Sequence, residues 1–219
     1  MIKAVVFDFD GLIFDTETHE YRVLQEIYGE YGAELPLDVW GQCVGTHANF
    51  FDAYAYLESC TGKPVDREVL GKRRLEMFEE RVQTETALPG VENYLAAAKR
   101  LGLKIGLASS SSRQWVTRWL TKLNLIDYFE CIRTSDDVEH VKPDPALYLR
   151  ALECLGVEPW QAIAFEDSPN GALAAKRAGM HVVIVPNFVT RSLPFGEHDL
   201  RLDSLAELEL EQVIERLEK

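Results

Sequence analysis

The chain has 219 residues, 47% of them hydrophobic, and a formal net charge of −13. That is enough apolar material for one large core, or for one domain carrying an insertion, and the negative field disfavours nucleic acid or an anionic membrane as partner. No apolar run reaches the ~18 residues that cross a bilayer, and no secretory leader is legible at the N-terminus, so a cytoplasmic protein is expected.

The first element is a hydrophobic run at residues 2–7 that ends in Asp8-Phe9-Asp10-Gly11. A run rich in Val and Ile reads as a strand buried on both faces, as in a parallel α/β sheet. From residue 16 to about 81 the periodicity turns helical. Tyr21, Leu24, Ile27, Tyr28 and Tyr31 follow the 3-and-4 spacing of one helix over 16–31, and further helices are expected over 37–44, 48–60 and 66–82. Pro36, Gly45, Gly62 and Pro64 punctuate this segment. After Leu88-Pro89-Gly90, helices at 91–101, 114–123, 146–155 and 171–178 alternate with strands at 103–108, 130–134, 162–165 and 181–185. Gly102, Gly156 and Gly179 stand just past three of these helices, where a left-handed stop is expected. The alternation implies an α/β fold with a doubly wound parallel sheet. The first strand belongs to that sheet, so residues 16–85 form an inserted helical domain, and residues 1–15 with 86–219 form the core domain. Residues 205–217 read as an amphipathic helix packed on the outside.

The cysteines Cys43, Cys60, Cys131 and Cys154 are widely spaced with no Cys-x-x-Cys pair. Reduced thiols are the expectation, with neither zinc nor a disulfide framework. The five histidines are equally scattered.

The chemistry gathers at strand ends. The first strand ends in Asp8 and Asp10, the second in Ser109-Ser110-Ser111-Ser112, and the strand at 162–165 in Glu166-Asp167; Lys142 precedes Pro143 at a helix start. A parallel sheet presents all its C-terminal strand ends to one edge, so these groups can converge. Four carboxylates in one crevice repel and raise one another's pKa. A hard divalent cation relieves this, and an all-oxygen donor set favours Mg²⁺. Serine at a strand-to-helix turn offers a hydroxyl and free N–H groups to phosphate. Taken singly, each motif also fits a capping sequence or a surface loop; the joint placement at strand ends does not.

The set Asp8-Phe9-Asp10-Gly11 with Asp15, Ser109, Lys142 and Glu166-Asp167 resembles the four motifs of the haloacid dehalogenase superfamily. Within it the chain is most similar to the β-phosphoglucomutase-like branch of sugar phosphatases and mutases. The resemblance runs through essentially the whole chain and implies a helical cap inserted after the first strand. It implies that Asp8 is the nucleophile and forms an aspartyl-phosphate, and that Asp10 is the acid/base. Mg²⁺ would be held by Asp8, the Asp10 carbonyl and Asp167, with Glu166 beside it. Ser109, Ser110 and Lys142 would hold the phosphoryl group, Lys142 also pairing with Asp8. An aspartate at position 10, where a threonine marks the phosphate-pumping ATPases, implies a phosphatase or a mutase.

Departures from the mutase pattern lie in the cap. Glu20, with His19 next to it, stands where the mutase carries a histidine; His47 or Ala48 stands where it carries an arginine; Arg73 or Arg74 is the candidate for its cap lysine. Asp15, Glu17, His19, His47 and Arg74 are therefore the candidate substrate contacts of the cap, while Trp40, Phe50, Phe51, Tyr54 and Phe78 read as cap core. These departures favour a phosphatase of small phosphorylated metabolites, sugar phosphates foremost, over a β-phosphoglucomutase-type mutase. A non-catalytic, phosphate-responsive module of the receiver type is the third reading, and a monomer is the default.

Overall fold

The computed structural model describes residues 1–41, 43–45 and 51–219. Six parallel strands form one sheet in the order β3-β2-β1-β4-β5-β6. They are β1 (Ala4–Phe7), β2 (Lys104–Ala108), β3 (Cys131–Arg133), β4 (Ala162–Glu166), β5 (His181–Ile184) and β6 (Leu200–Arg201). β1 lies between β2 and β4, Val5 opposite Ile105 on one side and Ile163 on the other. Successive side chains of a strand point to opposite faces, and β1 is apolar on both. Val5 and Phe7 enter one core layer and Ala4 and Val6 the other.

The first layer is covered by α5 (Val91–Arg100), α6 (Arg113–Lys122) and α9 (Leu210–Leu217), and the second by α7 (Ala146–Leu155) and α8 (Pro169–Arg177). Helices on both faces make the sheet doubly wound. The predicted strands all form, within two residues of their expected ends. The two-residue β6 lacks the periodicity that would announce it. The C-terminal helix starts at Leu210, five residues later than its pattern suggests, because 205–209 forms turns.

Between β1 and α5 lie α1 (Thr16–Glu30), α2 (Leu37–Gly41), α3 (Ala53–Thr61) and α4 (Arg67–Arg81). Three begin with an aspartate cap: the side chains of Asp15, Asp52 and Asp66 accept hydrogen bonds from backbone N–H groups of the first turn, a contribution of about 1 kcal/mol each. The helix expected over 48–60 begins at Ala53; His47, Ala48 and Phe50 lie outside the described residues. No described helix is long and apolar enough to cross a membrane.

One expectation is corrected. Cys131 of β3 and Cys154 of α7 form a disulfide, their Cα atoms 6.2 Å apart, leaving Cys43 and Cys60 as thiols. The two positions are 23 residues apart in sequence, and only the packing of α7 on the sheet brings them together.

Candidate active site

The carboxyl ends of β1 and β2 meet the helical insertion across a cleft of about 840 Å³, with the end of β4 beside Asp8. β1 is where the strand order reverses direction, the position at which open α/β sheets form a crevice. Asp8 follows β1 and is 5% exposed; its carboxylate accepts a hydrogen bond from Lys142 Nζ at 2.5 Å. The same ammonium lies 2.6 Å from Glu166 Oε1, and Tyr148 of α7 donates its hydroxyl to that oxygen at 2.5 Å. Gly171 makes room for this carboxylate, since a Cβ there would fall 2.0 Å from Glu166 Oε1.

Asp167 closes the cluster. Its Oδ2 accepts from Asn187 Nδ2 at 2.7 Å, and Asn187 also donates to the Gly11 carbonyl at 3.2 Å. Gly11 takes a positive φ of 79°, and a Cβ there would meet both Asp167 Oδ2 and Asn187 Nδ2 at 2.4 Å. The turn Asp10-Gly11 can therefore press against the end of β4 only with glycine at that position.

Asp8, Glu166 and Asp167 offer oxygens within 4.8 Å of one another, and Lys142 is the one cation that pairs with this cluster among the described residues. Burial, opposed by Lys142 and reinforced by Glu166 and Asp10, pushes the Asp8 carboxyl up to about 8. Burial and the Asp8 and Glu166 charges likewise drive Asp167 well above the ordinary range. Lys142 moves the other way from an isolated buried lysine: burial disfavours its charge, but the facing carboxylates outweigh that and raise it. Asp167 Oδ1 is buried without a hydrogen-bond partner, which is costly in a dry site. An excess of negative charge, oxygen donors only and one orphaned oxygen fit a hard divalent cation such as Mg²⁺.

Asp10 stands at the joint between sheet and insertion. Its Oδ1 accepts from Thr16 Oγ1 and from Trp115 Nε1, both at 2.9 Å. Its Oδ2 accepts from Ser111 Oγ at 2.6 Å and lies 3.4 Å from Ser109 Oγ. Ser109 is buried directly after β2, and its Oγ is fixed by the Ser111 N–H at 3.0 Å. Ser110 instead donates to the Gly45 carbonyl of the insertion at 3.1 Å, so its hydroxyl ties insertion to core.

The insertion residues separate into two groups. Glu17, Glu20 and Arg74 line the cleft together with Trp40, Phe51, Tyr54 and Phe78. The aromatic side chains are thus both core and wall. Burial, then the charges of Asp10 and Glu20, hold the Glu17 carboxyl well above its ordinary range. Glu20 is raised by burial, against the pull of its ion-pair partner Arg74. Arg73 points outward to Glu30, which leaves Arg74 as the arginine of this pair that faces the cleft. Asp15 serves as the cap of α1. His19 pairs with Glu85 at 3.5 Å, outside the cleft lining, and His47 lies outside the described residues.

This arrangement has counterparts. The family model of haloacid dehalogenase-like hydrolases matches residues 5–185. The chain belongs to the haloacid dehalogenase-like hydrolases. Among members of this family, it is 58% identical to YhcW of Bacillus subtilis (strain 168), covering 99% of this chain and 98% of that protein, whose name assigns it provisionally as a phosphatase. It is 32% identical to hexitol phosphatase B of Escherichia coli (strain K12), over 94% of each chain. The structure of a β-phosphoglucomutase from Clostridium difficile superposes with a TM-score of 0.78 at 25% identity, covering 100% of this chain and 98% of that one.

Three side chains of this haloacid dehalogenase-like site escape sequence reasoning, Trp115, Tyr148 and Asn187, while Ser111 stands in the serine run without a role of its own. Tyr148 and Trp115 sit in the apolar stripes of α7 and α6 and read as core. Asn187 follows β5, and the same attention to strand ends that finds Asp8 and Asp167 would have reached it.

Proposed function

We propose that the chain is a Mg²⁺-dependent phosphatase of small phosphorylated metabolites, sugar phosphates foremost, working through an aspartyl-phosphate on Asp8. The observation that carries this reading is the convergence of Asp8, Asp10 and Ser109 on one cleft, with Lys142 buried against Asp8, beside a carboxylate cluster that calls for a cation. The names of its relatives, a hexitol phosphatase among them, support the substrate class.

Asp8, Asp167 and the Asp10 carbonyl would hold the cation, with Glu166 beside it. When bound, it supplies positive charge that offsets repulsion between Asp8 and the phosphate dianion. Lys142, already on Asp8, adds a second fixed positive charge, and Ser109 with the N–H groups of its turn positions the phosphoryl oxygens. An Asp8 oxygen attacks phosphorus as the ester P–O bond breaks, and Asp10 gives its proton to the departing oxygen. Asp10 then takes a proton from water, whose oxygen attacks the aspartyl-phosphate and releases phosphate and Asp8. The helical insertion acts as the cap over this chemistry.

Likeness to a β-phosphoglucomutase raises the mutase reading. A mutase must grip a second phosphate, and among the described residues both arginines lining the cleft are already paired, Arg74 with Glu20 and Arg67 with Asp52 and Glu58. The acidic Glu17 beside them is a poor neighbour for a second dianion. These features favour hydrolysis, and a receiver-type module has no use for a cleft of this size.

The test is phosphate release from a panel of phosphorylated metabolites with Mg²⁺, run beside Asp8→Asn and with glucose 6-phosphate detection from β-glucose 1-phosphate. Release that disappears in Asp8→Asn and in chelator is the expected result. Glucose 6-phosphate without free phosphate, dependent on a bisphosphate primer, would replace the phosphatase by the mutase. A stable aspartyl-phosphate without turnover would replace both by the receiver-type module.

A further inference from the structure

Glu166 is fully enclosed. Its carboxylate lies flat against Gly171, where a Cβ would come within 2.1 Å of both oxygens. Oε2 accepts from Ser168 Oγ at 3.3 Å. Oε1 accepts twice, from Lys142 Nζ at 2.6 Å and from the Tyr148 hydroxyl at 2.5 Å. Tyr148 is wholly buried in α7, and the centre of its ring is 5.2 Å from the Lys142 ammonium. That ammonium gives a second N–H to Asp8 Oδ1 at 2.5 Å. One phenol thus touches both partners of a buried ion pair, its ring on the cation and its hydroxyl on the anion.

The hydroxyl governs how the ammonium is shared. A carboxylate oxygen has two lone pairs, and Tyr148 and Lys142 together fill both at Oε1. A hydrogen bond to an ionised acceptor is stronger than a neutral one and relieves part of its charge. With Tyr148 donating, Glu166 draws less on Lys142, and Nζ sits as close to Asp8 as to Glu166. Without it, Oε1 has a vacant lone pair in a dry site, an arrangement that a buried anion resists. Lys142 is the donor able to move into that role, because its stem is flexible and its three N–H groups can be redirected.

We propose that Tyr148 is a positioning residue that, by sharing Glu166, keeps the Lys142 ammonium on Asp8. This rests on the nucleophilic role proposed for Asp8. Attack brings the Asp8 carboxylate against the phosphoryl oxygens, and an ammonium drawn back toward Glu166 offsets less of that repulsion. Tyr148 acts only through Lys142 and Glu166.

The test is a double-variant cycle. First-turnover rates at saturating p-nitrophenyl phosphate with Mg²⁺ are measured by rapid quench in the parent, Tyr148→Phe, Glu166→Gln and the double variant. Asp8→Asn is run beside them, with thermal melting and Mg²⁺ calorimetry of each protein. Phenylalanine keeps the ring on the ammonium and removes the hydroxyl alone.

Tyr148→Phe should slow the first turnover about tenfold, the size of one lost hydrogen bond to a charged group. On the Glu166→Gln background the same substitution should slow it less than about twofold, since a neutral amide no longer competes for the ammonium and the two changes cease to add. Mg²⁺ affinity should stay within about threefold of the parent, short of the loss that follows when support of a cation ligand is removed. A crystal structure of metal-free Tyr148→Phe settles the point alone if the Glu166→Gln proteins turn over too slowly. In it Nζ should keep Glu166 and lie beyond about 3.5 Å from Asp8, outside hydrogen-bond reach.

Equal slowing on both backgrounds, as a merely structural role would give, would overturn the proposal, and so would an unchanged Lys142–Asp8 contact in the variant. A Mg²⁺ affinity that falls in step with the rate would move the effect to the cation and overturn it as well. If Asp8→Asn turns over like the parent, the nucleophile assignment fails and the proposal falls with it. An inactive Asp8→Asn beside an undisturbed Tyr148→Phe sinks the proposal alone.

Discussion

Replacing Lys142 by methionine tests the electrostatic core of the site. Lys142 is 2% exposed and lies 2.5 Å from Asp8 and 2.6 Å from Glu166. At an effective dielectric of about 20, one such contact is worth about 6 kcal/mol before desolvation. Desolvation of the ammonium cancels much of this, so the net cost of removing one partner of a buried ion pair is about 3–5 kcal/mol. For a protein of this size that corresponds to a melting temperature about 6–20 °C lower. The sign of the pH dependence follows from the carboxyls left behind. Burial already holds Asp8 and Asp167 above their ordinary range, and loss of the ammonium raises them further. A carboxyl whose folded pKa exceeds its unfolded one costs nothing below the unfolded value and costs most once pH passes the folded value. The gap between parent and Lys142→Met, measured by urea titration in chelator, should therefore hold steady up to about pH 8 and widen above it, where Asp8 ionises in the parent but not yet in the variant. Adding Glu166→Gln to the variant should recover part of the loss, because one stranded charge goes with it. Equal stability of parent and variant at the higher pH, or a gap that narrows as pH rises, would refute this account of the cluster.

Four further outcomes follow from the same geometry. Asn187→Ala takes the donor from Asp167 Oδ2 and should weaken Mg²⁺ binding, read by calorimetry, about 10- to 100-fold; unchanged affinity would show that Asp167 needs no such support. Asp8→Asn should abolish the aspartyl-phosphate and turnover while the protein melts no earlier than the parent, since a raised, buried carboxyl is replaced by a neutral amide. Glu17, with its carboxyl raised in the folded state, costs stability increasingly as pH climbs from its ordinary unfolded value toward the raised folded one, so the stabilisation from Glu17→Gln should grow with pH over that range in paired denaturation curves. The Cys131–Cys154 disulfide predicts two alkylated thiols before reduction and four after, and Cys154→Ser should cost about 3 kcal/mol; four reactive thiols in the unreduced protein would remove the bond.

What the sequence discloses and what it hides divide along a physical line. A buried strand announces itself by composition, and β1 registers with two such strands, β2 and β4, so the end of β1 and the end of β4 can be located before any coordinates. Asp8, Asp10, Ser109 and Glu166-Asp167 are legible for that reason: each is the first polar residue after an apolar run or lies within two residues of it. Trp115 and Tyr148 are not, because a side chain in an apolar helical stripe looks the same whether its polar atom is idle or aimed at a carboxylate. Trp119 makes the point within one helix. It is an indole four residues from Trp115, with its N–H buried and unpartnered, and nothing in the local pattern tells the two apart. The difference arises only when β1 delivers Asp10 to one side of α6 and α4 lays Phe78 across it. The Cys131–Cys154 bond is hidden for the same reason, as its two ends are neighbours only through the packing of α7 on β3. The insertion is the least legible part: its helices and caps can be read from Asp15, Asp52 and Asp66, but which arginine of the Arg73-Arg74 pair turns inward is set by Glu30 and Glu20 on a different helix. The charge that the insertion turns toward the cleft is therefore fixed by pairings between α1 and α4, contacts that neither helix's own sequence pattern displays.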